Sequence, residues 1–173
     1  MQRPEIFFDH RLTELNQILK EIYETTTGAR KWIYETVEPF TLKKTSEKEL
    51  LSISKGSGLN LTSARILMPD ATPPDGVNFT VEVLEGEIKK YVIVGVSPET
   101  LNKLGLTMPN QHAYLTIYDA TQYIYAWTQN WNMHIPPNQT AVIKLANKTT
   151  KDVTVQIIHI EGYTRPMGRY LPK

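Results

Sequence analysis

The sequence predicts a mainly-β fold: a single jelly roll or β-sandwich of about eight strands, with an N-terminal amphipathic helix and one short internal helix. Three observations predict it. After Gly28 the apolar spacing changes from three-and-four to two and stays there almost to the end of the chain. Turn-forming clusters of Gly, Pro, Asn and Asp separate many short runs. Beyond Gly28, only the segment after Ser97 carries helix start and stop signals. The 173 residues fit one domain. They divide into an N-terminal arm and helix over 1–30, a β-barrel over 31–163 and a C-terminal arm over 164–173.

From Asp9 to about Thr25, Leu12, Leu15, Ile18, Leu19, Ile22 and Tyr23 recur at helical spacing, with Asp9 as N-cap and Gly28 as stop. The stripe covers the end of a sheet or meets another subunit, and the sequence leaves both open. Strands are expected over Lys31 to Leu42, Glu49 to Ser54 and Leu59 to Met68, the last two joined by Lys55-Gly56-Ser57-Gly58. The loop PDATPPDG follows, and then the clearest alternation in the chain. Val77, Phe79, Val81 and Val83 face inward, and Glu85-Gly86-Glu87 turns the strand back into Ile88 to Val96, with Val92, Val94 and Val96 in the inward register. Ser97-Pro98-Glu99 reads as N-cap, first helical position and acidic first turn of a short helix that Gly105 ends. Four further strands are expected, at Ala113 to Tyr118, Gln122 to Thr128, Thr140 to Ala146 and Val153 to Glu161.

Composition excludes several functions. Nineteen Lys+Arg against 18 Asp+Glu leave a charge of +1, so no basic field holds a polyanion, and direct nucleic-acid binding is not expected. The chain has no cysteine, hence no thiolate chemistry or disulfide. No signal peptide and no apolar run of ~20 residues is found, which predicts a soluble chain that does not leave a cell by the secretory route. The sequons at Asn60, Asn78, Asn138 and Asn147 are accidental in such a context. Nucleophile-elbow, zincin, phosphate-loop and dinucleotide motifs are missing. His10, His112, His134 and His159 are scattered without a ligand pattern; His159 reads as a sheet-surface histidine, and His134 could meet Asp119 in space. No enzyme activity, cofactor or metal is expected.

The candidate contact residues are aromatic and aliphatic. In an extended strand Tyr123, Tyr125 and Trp127 share one face and Ile124 and Ala126 the other, which looks like the core side. The aromatic row, with Trp131, is then a core plug, a covered contact with protein, or a stacking surface for sugar rings beside Gln122, Gln129, Asn130 and Asn132. Phe7, Phe8 and Tyr170 in the arms, and Leu12, Leu15 and Leu19 on the helix, are the other assembly candidates.

LTSARILMPDATPPDGVNFTVEVLEG, SPETLNKLGLTMPNQHAYLTIYDATQYIYAWTQNW and ANKTTKDVTVQIIHIEGYTRPM resemble the smaller major capsid protein of tailless, icosahedral, membrane-containing viruses of thermophilic bacteria. The resemblance runs from about Lys31 onward and rests on no short motif. It implies a single jelly roll standing upright on the virion shell, self-associating as a dimer or higher oligomer and forming capsomers with a companion capsid protein over an internal membrane. The alternative is a carbohydrate- or receptor-binding β-sandwich module that uses the aromatic strip.

Overall fold

The computed structural model describes residues 31–54 and 56–164. The expected helix at Asp9 to Thr25 lies outside these residues, as do Phe7, Phe8, Leu12, Leu15, Leu19 and Tyr170. The strands are β1 Lys31–Val37, β2 Phe40–Leu42, β3 Ser46–Ser54, β4 Gly58–Leu67, β5 Val77–Glu85, β6 Ile88–Val94, β7 Ala113–Asp119, β8 Ile124–His134, β9 Thr140–Asn147 and β10 Val153–Thr164. One short helix, α1 (Pro98–Leu104), lies between β6 and β7.

The strands form two antiparallel sheets, one of six strands in the order β1-β10-β4-β8-β7 with β2 also on β10, the other β3-β9-β5-β6. The pairings β2 with β10, β3 with β9, β4 with β8 and β5 with β6 nest one inside the next. A long hairpin whose arms pair in this nested way, folded over so that β4 also meets β10 and β5 meets β9, is a jelly roll. β1 and β7 are additions at the edges of the larger sheet.

Between the sheets, Val77, Phe79, Val81 and Val83 of β5 and Ala141, Ile143 and Leu145 of β9 meet Ala64, Ile66, Trp127, Ile158 and Ile160 of the other sheet in one core. The inward alternation expected of β5 is observed, with all four of its apolar residues at 0% exposure.

Three expectations change. Lys31 to Leu42 is two strands, because Glu38 and Pro39 leave the ladder; proline lacks the N–H a ladder needs. The described residues hold ten strands rather than about eight. The inward side of β6 carries Tyr91 and Ile93, which pair with Val83 and Val81, whereas Val92 and Val94 lie beside Glu82 and Thr80 on the outer face. The cause is a bulge between Val83 and Leu84. The two-residue turn alone would set Val81 opposite Val92; one extra residue, Lys90, slips the strand and exchanges its faces.

The helix forms as its caps dictate. The Ser97 hydroxyl accepts the Thr100 amide at 3.3 Å, Pro98 opens the first turn, and Gly105 closes the last at φ 66°, a left-handed conformation that glycine adopts without strain. Leu101, at 0% exposure, pins the helix to the core.

On the outer face of the smaller sheet, Lys144 reaches Glu82 at 2.8 Å and Lys89 reaches it at 2.6 Å. Lys144 and then Lys89 hold the Glu82 carboxyl below its ordinary value of 4.5. Because the folded value is the lower one, this contribution to stability is complete above the ordinary value and is lost as pH falls through the folded one. Urea titrations at pH 7 and pH 3 are expected to show a smaller acid loss in Glu82→Gln than in the unchanged protein.

Candidate functional site

Tyr125 and Trp127 face the core at 2% and 0% exposure, so the expected facing of the aromatic row is reversed. The Trp127 ring packs against Phe79 of the opposite sheet, with centroids 5.4 Å apart and planes at 43°. Tyr125 meets Tyr118 edge-on at 4.9 Å. Tyr123 stands outside β8 at φ 59° and is half-buried against the same core. Trp131 is also half-buried there, and its Nε1 donates to Thr62 Oγ1 at 3.0 Å. Tyr125 and Trp127 fill space between the sheets with Tyr123 and Trp131 packed half-buried against that core, so the four do not make a flat exposed strip. Of the polar residues beside them, Gln122 and Asn132 are exposed, whereas Gln129 and Asn130 serve the backbone. Gln129 accepts from the Val96 amide at 3.1 Å and donates to the His112 carbonyl at 3.2 Å, and Asn130 donates to the Gln111 carbonyl at 2.7 Å. They fix the segments around α1 instead of awaiting a sugar.

The titratable groups are equally dispersed. Asp119 accepts from the amides of Thr121 and Gln122, capping the turn before β8, while His134 at the far end of that strand meets the Tyr163 hydroxyl at 3.3 Å. The expected proximity of His134 and Asp119 is therefore not observed. His159 lies on the sheet surface as expected, paired with Glu161 at 3.1 Å and stacked on Tyr34. Glu99, Tyr118 and Tyr125 do come together. The Tyr118 hydroxyl donates to the Glu99 carboxylate, and burial, followed by that carboxylate, pushes the phenol up to about 12. A tyrosine so held keeps its proton near neutrality and ties α1 to β7. Among the described residues, no group of three or more His, Asp or Glu side chains could hold a metal ion.

Asn147 is a polar residue whose role the sequence does not reveal. It is 0% exposed, and its Nδ2 donates to the carbonyls of Leu42, Lys43 and Lys151. Its Oδ1 accepts from the Thr149 amide and hydroxyl. The Asn-x-Thr pattern that resembles a glycosylation sequon is a loop lock: asparagine and threonine bond each other two residues apart. Asn78 is buried as well, so neither side chain is open to a glycosyltransferase in the folded protein.

Sequence reasoning also missed the surface of β6. Ile88, Tyr91, Val92, Ile93 and Val94 are 37–65% exposed on an edge strand. Their signal was the apolar run YVIV, of which Val92 and Val94 were expected inward because the bulge is not visible in the sequence. Trp32 and Tyr34 of β1 are exposed too, at 48% and 64%.

No protein-family model matches the chain, and no curated protein matches it by sequence. Among solved structures, a chain of the acidic stable capsid structure of Helicobacter pylori bacteriophage KHP30 is 12% identical, with 79% of this chain and 94% of that one covered at a TM-score of 0.33. A chain of the infectious bursal virus derived T=1 particles is 10% identical, with 84% and 45% covered and a TM-score of 0.29. Dimeric latent PorU from Porphyromonas gingivalis is 10% identical, with 81% and 14% covered and a TM-score of 0.34. Structural neighbours thus include viral capsid proteins, and this chain spans under half of the bursal virus and PorU chains. At these TM-scores no activity or partner carries over.

Proposed function

We propose that the protein is a structural subunit of a viral coat that works through surfaces rather than through a catalytic site. Jelly rolls serve lectins and enzymes as well as capsids, so the fold by itself does not select a role. The observation that carries the reading is the placement of apolar surface. The space between the sheets is closed by packed side chains, while large apolar residues stand exposed on the edge strands β6 and β1. Such edges suit contacts between subunits of a shell.

The resemblance in sequence supports the finer proposal: the smaller of two major capsid proteins, assembling with its companion over an internal virion membrane. Residues 1–30 and 164–173 would add arm contacts to those of the barrel. The sugar-binding alternative loses its main support, since Tyr125 and Trp127 are not accessible to a glycan.

Light scattering over a wide concentration range is expected to show a dimer or larger assembly, weakened by deletion of residues 1–28 with β-type circular dichroism intact. A monomer at every concentration whose tryptophan fluorescence responds to glycans would overturn the coat reading.

A further inference from the structure

β6 is exposed along its whole length and forms one end of the sheet β3-β9-β5-β6, so its outer backbone edge has no strand neighbour among the described residues. Edge strands are ordinarily protected by charges that a second strand would have to desolvate. Here the two lysines are drawn back onto their own chain, Lys89 to Glu82 at 2.6 Å and Lys90 to Glu85 at 2.7 Å. What faces outward from Tyr91 to Val94 is apolar on both faces: Tyr91 and Ile93 inward, Val92 and Val94 outward. The opposite edge of the same sheet, β3, is the reverse case, with Glu47, Lys48 and Glu49 all exposed. Setting β3 of another copy against β6 would place those charges against valine and isoleucine. Set against a second β6, the strand meets its own apolar surface.

We propose that β6 pairs antiparallel with β6 of a second copy about a two-fold axis at Val92, joining two four-stranded sheets into one. A two-fold axis normal to the sheet preserves its faces, so only residues of equal parity oppose each other. The bulge at Lys90 limits the regular stretch to Tyr91–Val94; a centre at Val92 keeps every residue opposed to that stretch within β6, whereas a centre at Ile93 would set Tyr91 against Gly95, beyond the end of the strand. Val92 then opposes the partner's Val92 on the outer face, Tyr91 opposes the partner's Ile93 on the inner face, and Lys90 opposes the partner's Val94. A centre at Lys89 or Lys90 would set a lysine against itself, so like-charge repulsion disfavours sliding toward the turn. The contact deepens the coat-subunit reading and rests on it for its biological use, whereas its geometry rests on β6 alone.

The chain's lack of cysteine makes the test direct. Directly opposed strand residues lie within disulfide reach, with Cα atoms about 4.5–5.5 Å apart. Under mild oxidation Val92→Cys is expected to run as a covalent dimer of twice the 19.8 kDa chain, while Val94→Cys and Glu49→Cys remain single chains. Val92→Lys, at a position already 43% exposed, is expected to keep its circular dichroism and to lower the light-scattering mass of the smallest associated species to that of one chain. Absence of the Val92→Cys dimer in a protein that still self-associates would overturn this contact and leave the coat reading in place. Slow hydrogen exchange, in a strict monomer, of the β6 amides that point away from β5 would also overturn it, assigning the edge to the chain's own terminal segments. A covalent dimer from a protein never found in a virion would uphold the contact and overturn the coat reading.

Discussion

Replacement of Trp127 by alanine is expected to lower the unfolding free energy by about 3–5 kcal/mol, the range for removing a large buried aromatic. The indole is 0% exposed and spans the gap between the sheets to Phe79, so no neighbouring side chain can close the cavity without moving a whole strand. Trp127→Phe separates volume from chemistry. Trp127 Nε1 has no hydrogen-bond partner among the described residues, so phenylalanine gives up no bond and leaves a smaller void. Its cost is expected to fall well below that of alanine in urea titrations. Equal losses in the two variants would mean that the indole N–H, and not the ring volume, holds the site. The same substitutions also bear on function: a tryptophan that fills the core changes stability, whereas one that grips a ligand changes binding.

Features of the fold that depend on a few adjacent residues were legible in the sequence. The caps of α1 are Ser97, Pro98 and Gly105, each with a local physical role, and the structure places all three as the sequence predicts. The β5 and β6 hairpin follows equally from alternation and a two-residue turn. Two features were not legible, for different reasons. On β8 both parities are apolar, Tyr125 and Trp127 against Ile124 and Ala126, so alternation cannot name the inner face; the distance to be filled between two sheets decides in favour of the larger rings. On β6 the parity itself is reset by a bulge that no glycine or proline announces. The second reversal sets Val92 and Val94 on the outer face of the edge strand on which the proposed self-pairing depends.

Asn147→Asp is expected to destabilise more than Asn147→Ala and in a pH-dependent way. Alanine leaves the carbonyls of Leu42, Lys43 and Lys151 and the Thr149 amide without their side-chain partner, a loss of about 2–4 kcal/mol when part of that demand is met by solvent at the loop surface. Aspartate keeps the acceptor for Thr149 but turns an oxygen toward the three carbonyls that now receive N–H bonds. Burial and those carbonyls both disfavour the charged form, so the introduced carboxyl titrates above its ordinary value in the folded chain. A folded value above the unfolded one means that the variant is least impaired below the ordinary carboxylate range and loses stability as pH rises through the folded value. The urea midpoint of Asn147→Asp should therefore fall further behind the unchanged protein at pH 7 than at pH 4. A gap that stays constant between the two would show the carboxylate reaching solvent, and with it a loop end looser than the bonds to Leu42, Lys43 and Lys151 imply. If the gap widens, Asn147 is the lock that joins the turn after β2 to the turn after β9, and the end of the barrel is held rigid by one amide.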